Sequence, residues 1–141
     1  MSPKSKWDVI VIGAGAAGLM CALVAGKRGR RVLLLEKNSK VGRKILISGG
    51  GRCNFTNTGA THEQYYGKNI HFARSALSRY LPEDFIKMVQ NRGIGFHEKK
   101  LGQLFCNDSA RDIVNMLVDE CESNGVTIAC DANVTGVDGD G

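Results

Sequence analysis

The chain has 141 residues, 43% hydrophobic and 23% charged, with 18 Gly, two Pro and five Cys. That length fits one domain or a piece of a larger protein, and the composition excludes a disordered or collagen-like chain. Five Cys with no C-x-x-C spacing exclude a disulfide scaffold, a zinc ribbon and a thioredoxin-type dithiol, so reduced thiols in a cytoplasmic setting are expected. The net charge of +5 is unevenly spread: residues 1–79 carry 14 basic and 3 acidic side chains, residues 80–141 carry 5 and 11. A basic N-terminal half suits an anionic partner, whether a phosphate ligand, a nucleic acid or a membrane surface.

Val9 to Gly26 is an uncharged run of 18 residues behind Lys4 and Lys6, which in outline resembles a signal peptide or a short membrane span. Its interior argues against both. Gly13, Gly15 and Gly18 interrupt it, and the β-branched Val9-Ile10-Val11-Ile12 stands only on their N-terminal side, so a strand, a tight turn and a helix are expected, with no membrane role. The helix should reach about Arg28, with Leu19, Ala22, Leu23 and Gly26 on one buried face and Gly29 as its stop. In Lys27-Arg28-Gly29-Arg30-Arg31 the cations fit a helix C-terminus better than a nucleic-acid patch. Val32-Leu33-Leu34-Leu35 then reads as a second strand, its unbroken apolar run predicting a parallel strand covered on both faces.

Strand, G-x-G-x-x-G, helix, strand and a terminal acid in register make a dinucleotide-binding unit. Gly13 allows the tight turn, Gly15 lets a pyrophosphate approach the backbone, and Gly18 lets the helix pack close to the strands. The ligand's charge then meets the free N–H groups at the helix start. Glu36, 18 residues after Gly18, is placed to accept hydrogen bonds from ribose hydroxyls and would repel a 2′-phosphate. This spacing alone does not separate FAD from NAD.

The next stretch, Val41 to Asn57, contains Gly49-Gly50-Gly51, a poor sequence for helix or strand that suggests close passage of a ligand or another backbone. Arg43, Lys44 and Arg52 can neutralise a pyrophosphate, and Ser48, Asn54, Thr56 and Asn57 can donate to ligand oxygens. Gly42-Arg43-Lys44 followed by Ser48-Gly49-Gly50-Gly51-Arg52-Cys53-Asn54 resembles the signature of the BaiN/RdsA-type, aminoacetone-oxidase-like flavoproteins. That resemblance, from about Trp7 onward, implies a Rossmann-like FAD-binding α/β domain of an NAD(P)/FAD-dependent oxidoreductase. It implies FAD at Gly13, Gly15, Gly18 and the neighbouring amides of Ala16 and Ala17, with Glu36 and Lys37 at the adenosine ribose. It also implies Lys44, Gly50, Gly51, Arg52, Cys53 and Asn54 toward the pyrophosphate and flavin, and the Val134 backbone near the adenine. Family members of roughly 400 residues would hold more than one domain. The resemblance therefore implies that residues 1–141 are an N-terminal fragment, inactive alone, with the rest of the FAD site and the substrate domain beyond Gly141.

Cys53 is the one thiol with a functional reading, a flavin-facing group whose pKa Arg52 and nearby amides would lower. The alternative is a small packing residue, since the next Cys is Cys106. Cys21, Cys106, Cys121 and Cys130 lie in apolar contexts and read as core.

Farther on, residues 58–68 read as loop. Ile70 to Tyr80 has helical spacing at Phe72, Ala73, Ala76, Leu77 and Tyr80, and a second helix starts at Pro82, buries Phe85, Ile86 and Val89, and stops at Gly93. Gly95–Glu98 and Gln103–Cys106 predict a β-hairpin. Ser109 caps a helix with Ile113, Met116, Leu117 and Cys121 inward and Gly125 at its end. Val126–Cys130 predicts a third parallel strand, and Asn133–Val137 the start of another. His62, His71 and His97 are scattered, so no metal is expected, and neither a G-x-S-x-G elbow nor a carboxylate pair suggests hydrolysis.

The functional expectation is the FAD-binding part of an oxidoreductase passing electrons from NAD(P)H through FAD to a small organic substrate, with nucleic acid not expected as a partner. Two rivals stand beside it: a dinucleotide-binding module whose basic half contacts RNA, and an inactive interaction fragment.

Overall fold

The computed structural model describes residues 6–139, so Lys4 and Gly141 lie outside the described residues. In chain order the elements are β1 (Val9–Ile12), α1 (Ala16–Lys27), β2 (Val32–Leu35), α2 (Arg43–Ile47), β3 (Asn54–Asn57), α3 (Arg74–Arg79), α4 (Pro82–Asn91), β4 (Phe96–Glu98), β5 (Gln103–Cys106), α5 (Ala110–Ser123) and β6 (Val126–Ala129). Short 3-10 turns occupy Ser48–Gly51 and His62–Gln64. They form two compact units, one joining the residues up to Leu46 to those from Val114 onward, the other Ile47–Ile113.

The first unit holds a parallel sheet in the order β1-β2-β6, with Val9, Val32 and Val126 in register and Ile12, Leu35 and Ala129 at the far end. Helix α1 buries Leu19, Ala22, Leu23 and Gly26, the face expected from its spacing. Each such leucine contributes about 1.5–3 kcal/mol by leaving water. Close packing demands glycine twice. A Cβ on Gly18 would sit 1.7 Å from the Gly13 carbonyl oxygen, and one on Gly26 would lie 2.7 Å from the Asn124 carbonyl oxygen and 3.1 Å from Val126. The Cys121 thiol on α5 donates to the Leu19 carbonyl at 3.3 Å, joining the two helices.

The coverage of both faces expected for β2 is only partial, and the neighbouring β1 is open on one face. Its residues alternate, with Ile10 and Ile12 56% and 58% exposed. On β2, Val32 and Leu34 are buried, whereas Leu33 and Leu35 are half-buried. Helix α1 packs on the face bearing Val11 and Val126, leaving the other face open. The strand expected at Asn133–Val137 is absent: the chain runs on without sheet pairing, and Val137 is 81% exposed.

The second unit is built on an antiparallel sheet in the order β3-β5-β4. The predicted hairpin is β4 and β5, with His97 opposite Phe105. Strand β3, whose Asn54, Thr56 and Asn57 suggest ligand donors in the sequence, pairs with β5 and carries a bulge between Asn54 and Thr56. Phe55 packs edge-on to Phe96 and tilted against Phe85 of α4, forming this unit's aromatic core. Helix α4 begins at Pro82, the Asp84 carboxylate accepting from the Leu81 N–H at 2.8 Å.

The helix expected from Ile70 is shorter. Asn69 folds the chain into turns, its side chain accepting from His71 N and its carbonyl from Phe72 N, and α3 starts only at Arg74. Phe72 and Tyr80 are thus exposed rather than core. Cys21 and Cys130 are also exposed, the first lying off the buried stripe of α1 and the second just past β6, while Cys106 and Cys121 are buried.

Candidate dinucleotide site

The first unit gathers its polar groups at the carboxyl ends of its parallel strands, where open α/β sheets bind ligands. The β1–α1 turn opens with Gly13 at φ +96°, a conformation that favours glycine. Gly15 precedes α1 in extended backbone, and no side chain caps the helix. A Cβ added at Gly13 or Gly15 would meet nothing within 4 Å, whereas one at Gly18 would strike backbone. The three glycines therefore do different work: the first two border open space at the mouth of the turn and the third is a packing contact. Ala16 and Ala17, both exposed, begin the helix beside that space.

Glu36 closes the other side. It is the one buried charged residue among those described, 8% exposed at the end of β2. One carboxylate oxygen accepts from Ala14 N at 2.9 Å, and the other from the backbone N–H of Asn38 at 2.9 Å and from its side-chain amide. The Asn38 and Ala14 amides, with lesser help from Lys37, hold the carboxyl below its ordinary range despite burial. A carboxylate offers about four acceptor positions, so three such bonds leave capacity for one more donor.

Further backbone bonds lock the surrounding loops. Gly42 N donates to the Ala14 carbonyl at 2.8 Å, Ala132 N to that of Glu36 at 2.9 Å and Asp131 N to that of Asn38 at 3.1 Å. The turn after β1 and the segments after β2 and β6 are thereby fastened together, and Val134, half-buried, follows two residues after Ala132. Arg43 donates to the Asn38 side-chain oxygen at 2.8 Å, so it positions the residue that holds Glu36. Lys37 and Lys44 extend to the exterior. Asn38 went unnoticed in the sequence; an amide two residues past the strand-terminal acid is the signal that could have found it.

The remaining expected residues belong to the second unit. Gly49, Gly50 and Gly51 all have positive φ, at 56°, 66° and 83°, so the triplet is required by left-handed backbone. A Cβ on Gly49 would press on the Phe105 ring at 2.7 Å and Asn54 N at 2.8 Å, whereas Gly50 faces open space. Arg52 and Asn54 are exposed, and the Arg52 carbonyl accepts from Cys106 N at 2.8 Å. Asn57 is engaged in the fold, donating to the Leu101 carbonyl at 2.7 Å and accepting from Gly59 N at 2.8 Å. Cys53 is 5% exposed at φ +50°. Burial pushes its thiol pKa up, only partly offset by a hydrogen bond with Ser48. Its burial and raised pKa fit the small packing residue rather than a flavin-facing thiol made acidic by Arg52.

Among the described residues, no group of three or more His, Cys, Asp or Glu could hold a metal, and no helix is long and apolar enough to cross a membrane.

Residues 7–141 match the model of the HI0933-like protein Rossmann domain. The chain belongs to that family. Its Rossmann-like fold, with a parallel sheet and flanking helices, is the architecture of FAD-binding domains. A relative from Escherichia coli strain K12 named ribosomal RNA dihydrouridine synthase is 55% identical over 132 residues, covering 94% of this chain and 33% of the relative. One from Clostridium scindens named 3-dehydro-bile acid delta(4,6)-reductase is 30% identical over 121 residues, covering 84% and 29%. The chain thus spans a third or less of these curated relatives. The solved 3-ketosteroid-delta4-(5alpha)-dehydrogenase of Rhodococcus jostii RHA1 shares the fold at a TM-score of 0.59 and 16% identity, over 91% of this chain and 39% of that one.

Proposed function

We propose that the chain is the FAD-holding part of a longer flavin-dependent oxidoreductase that reduces a uracil ring in ribosomal RNA with electrons from NAD(P)H. The observation that carries the cofactor assignment is the pairing of open space at Gly13 and Gly15 with the buried, hydrogen-bonded carboxylate of Glu36. The bare first turn of α1 supplies amides for a pyrophosphate, and Glu36 has room to accept from an adenosine ribose hydroxyl. The negative charge of Glu36 disfavours a 2′-phosphate, which FAD lacks.

FAD, when bound, supplies hydride chemistry that no side chain of this chain can perform. Residues of this chain bind and orient its adenosine half: Gly15 and the Ala16 and Ala17 amides at the phosphates, Glu36 at the ribose, and Val134 near the adenine. Lys44, exposed on α2, is a further donor toward the pyrophosphate. Uracil is a fitting acceptor because its C5=C6 bond is conjugated to the C4 carbonyl: hydride adds at one carbon and a proton at the other, giving the dihydro ring. The substrate assignment draws on the relative of 55% identity and on the basic N-terminal half. A cytoplasmic setting, supplying both ribosomal RNA and reduced nicotinamide, goes with it.

Titration of FAD with AMP as competitor, followed by flavin fluorescence, tests the cofactor site. Saturable, AMP-sensitive binding that disappears in Gly15→Val is expected; binding unaltered by that change would mean that the ligand lies elsewhere. For the substrate, the full-length protein with NADH or NADPH and a ribosomal RNA fragment should give a product heavier by two hydrogens in mass spectrometry. NAD(P)H oxidation without that product would refute the RNA assignment while leaving the flavin assignment intact.

A further inference from the structure

The second unit presents a face that the dinucleotide site does not use. Between the turn at His62–Gln64 and α3, the chain has neither helix nor strand, and the Asn69 turn leaves its large side chains outward. Tyr66 is 94% exposed and Phe72 85%, with Tyr65 and Ile70 also more than half exposed. Such a concentration of exposed rings marks an interaction surface. Glu63, Tyr65, Tyr66, Ile70, His71 and Arg74 are among the residues that border a shallow hollow of about 370 Å³. Lys68 and Arg74 are exposed, and neither forms an ion pair among the described residues. From residue 58 to 80 there are three Lys or Arg against one carboxylate, Glu63, so the face keeps a positive charge.

The mixture of groups selects the partner. Protein interfaces share the aromatics and Arg but are poor in Lys, whereas this face sets exposed rings beside both Lys68 and Arg74 with an excess of positive charge. Single-stranded nucleic acid offers both complements, since every base has a π-face to stack on a ring and every linkage a phosphate for a cation. A duplex keeps its base faces covered and would use only the cations. We propose that the face from Tyr65 to Arg74 docks single-stranded RNA, with Tyr66 and Phe72 as stacking platforms and Lys68 and Arg74 as phosphate contacts. This rests on the RNA-substrate reading above and locates where that RNA is held.

The test is fluorescence anisotropy of labelled oligouridylate, about ten nucleotides long to span a typical single-strand site, with a duplex of equal length as control. The flavin-loaded full-length protein is the binding partner. Tyr66→Ala and Phe72→Ala should each weaken single-strand binding by about tenfold, within the range for loss of one stacked base. Lys68→Ala and Arg74→Ala should each flatten the log–log salt dependence by about 0.7. All four should bind FAD as the parent protein does. If the parent binds RNA and all four variants match it in affinity and salt dependence, the docking face is wrong and the RNA reading stands. If the parent binds FAD but no RNA at low salt, the RNA reading fails as well. Variants that lower the thermal midpoint with RNA affinity intact would show the face to be covered by other protein, which also overturns the proposal.

Discussion

Gly15 and Gly18 lie three residues apart in one motif, yet the structure predicts opposite consequences for replacing them with alanine. At Gly18 the new Cβ would lie 1.7 Å from the Gly13 carbonyl oxygen, 3.0 Å from its carbon and 3.6 Å from Val11. Ordinary contact begins at 3.4 Å, so α1 and the β1 turn would have to separate by about 1.7 Å, half the shortest ordinary contact. Both bodies are backbone, and no rotamer can relieve the clash. Forced overpacking costs about 1–3 kcal/mol and occasionally more, and the gain of about 1 kcal/mol for alanine over glycine inside a helix offsets only part of it. Gly18→Ala should therefore lose about 2 kcal/mol, the upper end of that difference because the clash is with backbone, in urea unfolding followed by circular dichroism, with FAD binding falling as the fold fails. At Gly15 the backbone is extended and the Cβ meets nothing within 4 Å. There the weaker N-cap preference of alanine and the reduced entropy of the unfolded chain nearly cancel, leaving a change within about 1 kcal/mol. Gly15→Ala should unfold like the parent and yet bind FAD more weakly. Equal destabilisation by both changes, or a Gly18→Ala chain as stable as its parent, would refute this division of labour.

Glu36→Gln places an amide where a carboxylate accepts three N–H donors, so the variant should be less stable at neutral pH. Because the folded-state pKa of Glu36 is depressed, its stabilisation is present above the ordinary value of 4.5 and is lost as the pH falls through the folded value. Parent and variant midpoints in thermal melts should therefore converge on acidification, and a gap that persists at the acid end would contradict the assigned role. Of the five thiols, Cys21 and Cys130 should react rapidly with a disulfide reagent and Cys53, Cys106 and Cys121 slowly. Burial pushes Cys106 and Cys121 up to about 11, which keeps them protonated at pH 8. Three or more fast thiols, counted by absorbance, would show that the core opens more readily than its packing implies.

Local pattern determined much of this protein. The buried face of α1, the bounds of β2, the start of α4 at Pro82 and the β4–β5 hairpin all follow from residues close together in the chain, because periodicity, proline and turn chemistry act over a few residues. The strand-turn-helix motif likewise identified the glycine turn and Glu36, whose spacing is part of one βαβ unit. Tertiary structure decided what depends on distant partners. An apolar run in β1 cannot tell whether one or both faces will be covered, and Ile10 and Ile12 stay exposed because α1 takes the opposite side. Strand β3 forms because β5, nearly fifty residues later, comes to pair with it. The helical spacing after Ile70 yields to the Asn69 turn, since a side chain that satisfies local amides competes with the first helical hydrogen bonds. The Arg43–Asn38–Glu36–Ala14 network needs loops from two strand ends in one place, and only the folded sheet brings them there.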